Sequence, residues 1–517
     1  MKEQKILKTA GFMAVATLLA KLCGLIRDSL IAGYFGTGFE ADAFITASKL
    51  PTMLFDMVLG GVITASFIPI FNGILEKENR EKAIAYANKL ITVVFTITVF
   101  LSVLGILFSD ALIGLLAPEF TGEKYRLASQ LSATMFPMII FTGLAYTFVG
   151  ILQSFGEFNV PSVISLVSNV VLIAYFPIFG EKFGVLGLAV AMLVAWSLQV
   201  IVQIPSLKKF KVGIKPDFRF FDSNIKATLK LAGPMLVSTW VQPLYSIINS
   251  RFASGIDGAP TVLELANRLY IVMVGVFSFV VTNLIFPKLA RANASDNYDE
   301  SKGIIVTSLK AIILIVLPLS IGFIILSKPI TSIIYEHNNF NANDVDMVST
   351  ALKCYSVGMV GFAINEILSK FFFSLKDSKT PMRNSIISMI ANIALAYILF
   401  ETFKTPGLAM AAALGSIISA LLNALSISRR FKGMFSKSDF MNIAKIVIAA
   451  AIMSGAAYIM YILTSHYIYG TVMGNLMLCA GCAAVAGVVY FGVCYVLKVD
   501  VFLNTINSLL KKNKERQ

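Results

Sequence analysis

Two apolar stretches near the N-terminus carry charges where a lipid-facing helix would carry none. The run from Thr9 to Phe35 holds Lys21, Arg27 and Asp28, and the run from Asp42 to Phe71 holds Asp42, Lys49 and Asp56. A charge at the bilayer centre costs roughly 2.5–3.5 kcal/mol on insertion scales, so these residues facing lipid would oppose insertion. Facing a water-filled cavity they are tolerated, and there ionisable residues mark a ligand's route. The second half repeats the theme with Arg251, Glu264, Arg268, Lys353, Glu366 and Lys370. Cations gathered round one cavity repel each other until an anion enters. The chemistry expected is therefore the capture of an anion such as phosphate by hydrogen-bonded ion pairs. The carboxylates Asp28, Asp42, Asp56, Glu264 and Glu366 read either as part of that site or as partners that hold the cations in place.

Other chemistries lack their residues. No P-loop pattern occurs, and the loops are too short to hold a nucleotide-binding domain. His337 and His466 stand singly in expected outer loops. Cys479-Ala-Gly-Cys482 has half the spacing of a zinc or redox site but no second ligand pair, and reads as packing in a small-residue span. No metal, cofactor or catalytic triad is expected, so the chain does not read as an enzyme.

The elements that position these charges follow from composition. The chain has 517 residues, 57% hydrophobic and 14% charged, with a mean hydropathy of +0.79. Apolar runs of about 20 residues recur throughout, which predicts an all-α polytopic membrane protein. Fourteen segments are expected, near 6–35, 40–72, 83–108, 127–153, 160–179, 185–206, 229–253, 261–289, 303–327, 347–374, 381–401, 406–428, 440–464 and 470–497. Lys2, Lys5 and Lys8 precede the first, which reads as a spanning helix rather than a cleaved leader. The net charge of +14 does not form a nucleic-acid face. Most Lys and Arg fall in alternate connections, the positive-inside pattern, which puts both termini in the cytoplasm.

An internal repeat organises the segments. Lys8, Ala10, Gly11, Met13, Val15 and Thr17 recur 222 residues on as Lys230, Ala232, Gly233, Met235, Val237 and Thr239, and Pro69 recurs as Pro287. Pro161, Ser165, Glu181, Phe183, Gly187-Leu188-Ala189 and Ala191 recur 220 residues on as Pro381, Ser385, Glu401, Phe403, Gly407-Leu408-Ala409 and Ala411. Six helices per copy give both copies the same orientation, with a ligand site expected between them. Lys49-Leu50 and Arg268-Leu269 hold nearly equivalent repeat positions, setting a cation from each lobe toward the shared cleft. The expected division is an N-lobe over 1–206, a cytoplasmic linker over 207–228, a C-lobe over 229–430, two added helices over 431–497 and a tail over 498–517. In the tail, Val499, Phe502, Leu503, Ile506, Leu509 and Leu510 follow helical spacing before Lys511, Lys512 and Lys514, which predicts an amphipathic helix on anionic membrane lipids.

Several motifs together resemble one family. Gly24-Leu25-Ile26-Arg27-Asp28, Ala41-Asp42-Ala43-Phe44, Lys49-Leu50-Pro51 and Phe67-Ile68-Pro69 resemble the opening of the MurJ (MviN) lipid II flippases of the multidrug/oligosaccharidyl-lipid/polysaccharide exporter superfamily. Ala266-Asn267-Arg268-Leu269 resembles the family's eighth-helix arginine motif, and Asp377-Ser378-Lys379-Thr380-Pro381 its loop before helix eleven. The resemblance implies movement of lipid II across the bacterial cytoplasmic membrane. Its cavity arginines would be Arg27 and Arg268, with Asp42 as acidic partner, Lys21, Lys49 and Asp28 beside them, and Arg251, Glu264, Glu366 and Phe55 as secondary positions. It also implies a prenyl-tail groove in the two added helices and wall-synthesis enzymes as partners. Lys21 stands where the family often has arginine, and Phe55 where it commonly has another; Glu366 stands near a position that can be lysine. These departures keep a flippase for another polyprenyl-pyrophosphate glycan in view. A drug/cation antiporter is disfavoured because the charge set is basic, and a transport-free scaffold would leave the buried charges unexplained.

Overall fold

The computed structural model describes residues 2–59, 66–219, 222–230, 240–294, 298–375, 377–431, 433–504 and 507, and it is helical throughout with no strand among them. The chain forms two compact units, Met1–Thr261 and Val262–Gln517.

In the first unit, α1 (Lys2–Phe35) and α2 (Phe39–Leu59) are followed by α3 (Ile68–Lys77) and the long α4 (Arg80–Leu107). Asn79 caps α4 by accepting the Lys82 amide at 2.8 Å. After the short α5 (Ser109–Leu116) come α6 (Gly122–Met135), α7 (Met138–Ser154), α8 (Asn159–Tyr175), a π-turn over Phe176–Gly180, α9 (Glu181–Ile201) and α10 (Ile204–Lys209). Pro137 breaks the fourth expected segment into α6 and α7 because its ring removes a backbone donor. α11 (Val241–Ser254) also packs in this unit, against α2 and α5. Close packing is visible at Gly143 of α7: a Cβ there would meet Thr98 and Val94 of α4 at 2.9 Å, so only glycine lets the two helices approach.

The second unit contains most of α12 (Ala259–Ala294), then α13 (Tyr298–Ile325), the short α14 (Ser327–Tyr335), α15 (Ala342–Val357) and α16 (Met359–Ser374). Next come α17 (Lys379–Phe403), α18 (Thr405–Arg430), α19 (Lys437–Ile468) and α20 (Val472–Val496). α15 and α16 bend by 45° at Gly358, the counterpart of the α6–α7 break. The repeat is legible in finer detail too. Gly184 interrupts α9 with φ 51° and ψ −145°, and Lys404, its counterpart 220 residues on, links α17 to α18 with φ 55° and ψ −130°. The short helices α5 and α14 also correspond, each directly following a long helix; the sequence gave no sign of them as separate elements. Of the residues that carry the repeat, Ala232, Gly233, Met235, Val237 and Thr239 lie outside the described residues.

Among the described residues, eight helical stretches are long and apolar enough to cross a membrane, or nine with the bent α15–α16 pair. One of them, Asn159–Lys209, is 51 residues long. That is about 75 Å of helix against a hydrocarbon core of about 30 Å, so it holds the two segments expected there.

Residues 210–219 run without helix along the first turns of α4. Asn88 accepts the Lys215 amide at 3.2 Å and Thr92 accepts the Asp217 amide at 3.0 Å. Tyr86 and Thr228 share a 2.6 Å hydrogen bond, and Lys89 pairs with Asp222. In the second unit Lys310 of α13 pairs with Asp439 at 2.8 Å, and Tyr490 of α20 donates to the Leu314 carbonyl at 2.8 Å, which fastens the two added helices to α13. Of the expected tail helix, Val499 is buried and Phe502 stacks on Phe491 at 5.5 Å; Ile506, Leu509, Leu510 and the following lysines lie outside the described residues.

Candidate functional site

Arg27 sits well inside α1 and is held from two directions. Its Nε and Nη2 donate to Asp28 Oδ1 at 2.9 and 2.6 Å, while Nη1 donates to Asn169 Oδ1 of α8 at 3.0 Å. Asn169 in turn donates from Nδ2 to the Ala20 carbonyl at 2.9 Å, so one amide ties α8 to α1 and fixes the guanidinium. Gly24 leaves room for this crossing, since a Cβ there would lie 3.6 Å from Asn169 Nδ2. A charge-assisted, two-point hold of this kind lowers the entropy lost when the guanidinium meets an anion.

The guanidinium lines a cavity of about 450 Å³ enclosed by α1, α2, α7, α8 and α9. Asp56 is its other ionisable residue. Phe55, Tyr146 and Trp196 form an aromatic wall, with Phe55 stacked on Tyr146 at 5.6 Å between centroids and 29° between planes. Ser165, Ser168, Asn169 and Gln199 supply hydroxyls and amides. The volume lies within the range of small-molecule sites, and the mixture of aromatic faces with a few polar groups is typical of them.

The other expected residues are distributed differently. Asp42 is fully buried and accepts four hydrogen bonds: from Lys124 Nζ at 2.7 Å, from the Gly258 and Thr261 amides at 2.8 and 3.1 Å, and from Thr261 Oγ1 at 2.7 Å. Lys124 also reaches Asp257 at 3.0 Å. Asp42 thus fixes the turn that starts α12 and is absent from the cavity wall. Lys21 and Lys49 are partly buried on α1 and α2 and do not line the cavity either. Arg251 donates to the Leu115 carbonyl of α5 at 3.2 Å. In the second unit Arg268 pairs with Glu264 one turn away on α12 at 2.9 Å and is half exposed, while Glu366 is partly buried on α16.

Asn169, Tyr146, Trp196 and Gln199 were not among the expected site residues. Asn169 and Gln199 are uncharged, yet an amide within an apolar run is the same anomaly as a charge, only weaker. That signal was present in segments 160–179 and 185–206.

The helical architecture and a polar, arginine-bearing cavity inside one unit define a multi-pass membrane protein of the transporter class. The family model described as "Lipid II flippase MurJ" matches residues 31–478, and the chain belongs to that family. It is 28% identical to a probable lipid II flippase MurJ of Buchnera aphidicola subsp. Schizaphis graminum over 98% of this chain and 99% of the relative. It is 26% identical to the lipid II flippase MurJ of Burkholderia cenocepacia over 95% and 96%. Among solved structures, an inward closed lipid II flippase MurJ superposes with a TM-score of 0.80 at 23% identity, covering 95% of this chain and 99% of that one. A multidrug resistance MATE transporter of the MOP superfamily in an inward-facing conformation shares the fold at a TM-score of 0.66 and 17% identity, over 81% and 98%.

Proposed function

We propose that this chain carries lipid II, the undecaprenyl-pyrophosphate-linked peptidoglycan precursor, from the inner to the outer leaflet of the bacterial cytoplasmic membrane by alternating access. The observation that carries this reading, beside family membership, is Arg27: a cation fixed by Asp28 and Asn169 at a polar cavity within a spanning helix. The pyrophosphate would pair with Arg27, and with Arg268, Lys21 and Lys49 as the lobes rearrange. Asp28 and Asp42 act as positioning partners. Nothing covalent changes, so the work is transport. Fourteen spans with both termini in the cytoplasm follow from the alternation of Lys and Arg. On this reading 1–206 and 229–430 are the moving lobes, 207–228 joins them, 431–497 takes the prenyl tail and 498–517 rests on anionic lipids, with wall-synthesis enzymes as receivers of the product.

The test is complementation of a strain depleted of its lipid II flippase, reading lipid II accessibility on the outer leaflet. Wild type should restore it and Arg27→Ala at equal expression should not. Restoration by Arg27→Ala would remove Arg27 from the mechanism, and failure of wild type would remove lipid II as the cargo.

A further inference from the structure

Most polar groups around the Arg27 cavity are already paired. Arg27 binds Asp28 and Asn169, Thr52 and Thr142 donate to carbonyls of their own helices, and Ser168 donates to the Ser165 carbonyl. Gln199 is different. It is 8% exposed, lines the cavity, and its side-chain amide has no hydrogen-bond partner among the described residues. A buried amide left unpaired costs about 1–3 kcal/mol, which a ligand that reaches it would recover. The indole N–H of Trp196, one turn earlier on α9, and the Tyr146 hydroxyl on α7 likewise have no protein partner among the described residues. These donors and acceptors surround aromatic rings, and the stacked Phe55–Tyr146 pair stiffens that wall.

Charge narrows the ligand further. Arg27, the cavity's only cation among its lining residues, is engaged by Asp28, and a single carboxylate, Asp56, stands on the wall. That is too little acid for a cation site. The groups left over are an amide, an indole N–H, a phenol and a serine hydroxyl beside aromatic faces. A neutral ring with an apolar C–H face and a rim of hydroxyl and acetamido groups matches both halves of that surface: the C–H face lies on the ring systems and the rim meets the amide and hydroxyls. We infer that this cavity is a carbohydrate subsite, in which Trp196 and Tyr146 take the face of an N-acetylhexosamine and Gln199 hydrogen-bonds its hydroxyl or acetamido group. The inference rests on the lipid-linked glycan reading above and adds the part of the headgroup that the first unit recognises.

Trp196 makes the site observable, because the chain has only two tryptophans and the other, Trp240, can be replaced. In the full-length Trp240→Phe protein, emission should report Trp196 alone. Titration with N,N′-diacetylchitobiose, which carries no pyrophosphate and no lipid, should change that emission saturably, and Gln199→Leu should weaken the apparent affinity about tenfold. Inorganic pyrophosphate should leave the emission unchanged. No saturable response to the disaccharide, a response that Gln199→Leu leaves intact, or a response to pyrophosphate alone overturns the subsite. Circular dichroism and gel filtration establish that Gln199→Leu is folded, and Gln199→Glu, which keeps an acceptor, should retain more affinity than leucine. The complementation test separates the two readings. Sugar binding with no rescue by wild type removes lipid II and keeps the subsite, whereas rescue with no sugar binding removes the subsite alone.

Discussion

Removing the Asp42 carboxylate should unfold the outer end of the first unit before it touches transport chemistry. Asp42 is fully buried, and Asp42→Ala strips an acceptor from Lys124 Nζ, two backbone amides and the Thr261 hydroxyl at once. Breaking a buried ion pair by deleting one partner costs about 3–5 kcal/mol, and each orphaned donor adds about 1–3 kcal/mol unless water reaches it. Single substitutions seldom exceed about 4–5 kcal/mol because the surroundings relax, so a loss of about 4 kcal/mol is expected. Asp42→Asn keeps an oxygen for the Thr261 groups and forfeits only the charge. Lys124 retains the exposed Asp257 and its place over the Phe120 ring, so the asparagine variant should lose about 1–2 kcal/mol.

The measurement is urea unfolding of the purified protein in detergent, run on Asp42→Ala, Lys124→Met and the double variant. The double variant should be less destabilised than the two singles combined, with a coupling of about 2 kcal/mol. A residue that served by touching cargo would behave in the opposite way, leaving stability intact and abolishing outer-leaflet lipid II. If Asp42→Ala lies within about 0.5 kcal/mol of wild type, the anchoring role assigned to Asp42 is wrong.

Other consequences are equally direct. Phe55→Arg places a cation on a wall it shares with Arg27 and Asp56, so the variant should insert at normal levels and bind pyrophosphate more tightly; loss of expression would mean the wall is dry. Lys404 occupies a left-handed conformation that glycine adopts freely at the equivalent Gly184, so Lys404→Gly should raise the urea midpoint by about 1 kcal/mol, and Gly184→Ala, which meets no atom within 4 Å, should lower it comparably. The Lys89 hydrogen bond holds the Asp222 carboxyl below its ordinary value of 3.8, and the Arg219 side chain brings Asp217 to about 2. Folded values below unfolded ones give stability that is present above the unfolded value and lost as pH falls through the folded one. Pepsin should therefore begin to cut residues 210–219 between about pH 3.8 and pH 2, and at higher pH in Lys89→Met. Truncation after Arg430 removes Asp439 and strands Lys310 within a spanning helix, so the shortened protein should be unstable in the membrane until Lys310→Met is added.

How much of this was legible beforehand depended on the kind of signal. Apolar run length placed the long helices within a few residues: 83–108 was expected and α4 spans Arg80–Leu107, while 406–428 was expected and α18 spans Thr405–Arg430. Hydropathy could not separate α5 from α4 or α14 from α13, because a turn between apolar helices leaves the run of apolar residues unbroken. In the site, Arg27 stood out by its charge alone. Its partner Asn169 did not, being 142 residues away and neutral. Lys124 read as an outer-loop cation, and nothing in its neighbourhood announced a buried carboxylate 82 residues earlier. Long-range pairing leaves no local periodicity, so such partners emerge only when the chain is folded.

The state of Arg27 bears on how an anion is both taken up and released. A guanidinium waiting bare in an apolar helix would carry the full cost of an unpaired charge and would hold pyrophosphate too firmly to let go. Asp28, adjacent in sequence, keeps the pair close to neutral when no cargo is present, and Asn169 keeps the fork pointed the same way whichever partner it has. Binding then becomes an exchange of one anion for another, with much of the electrostatic cost cancelled on each side. The same exchange explains why a sugar-sized cavity belongs beside the cation. If pyrophosphate binding is nearly balanced against Asp28, discrimination between a bare polyprenyl pyrophosphate and a glycan-bearing one has to come from neutral contacts, and Gln199, Trp196 and Tyr146 are the unpaired groups within reach on that wall.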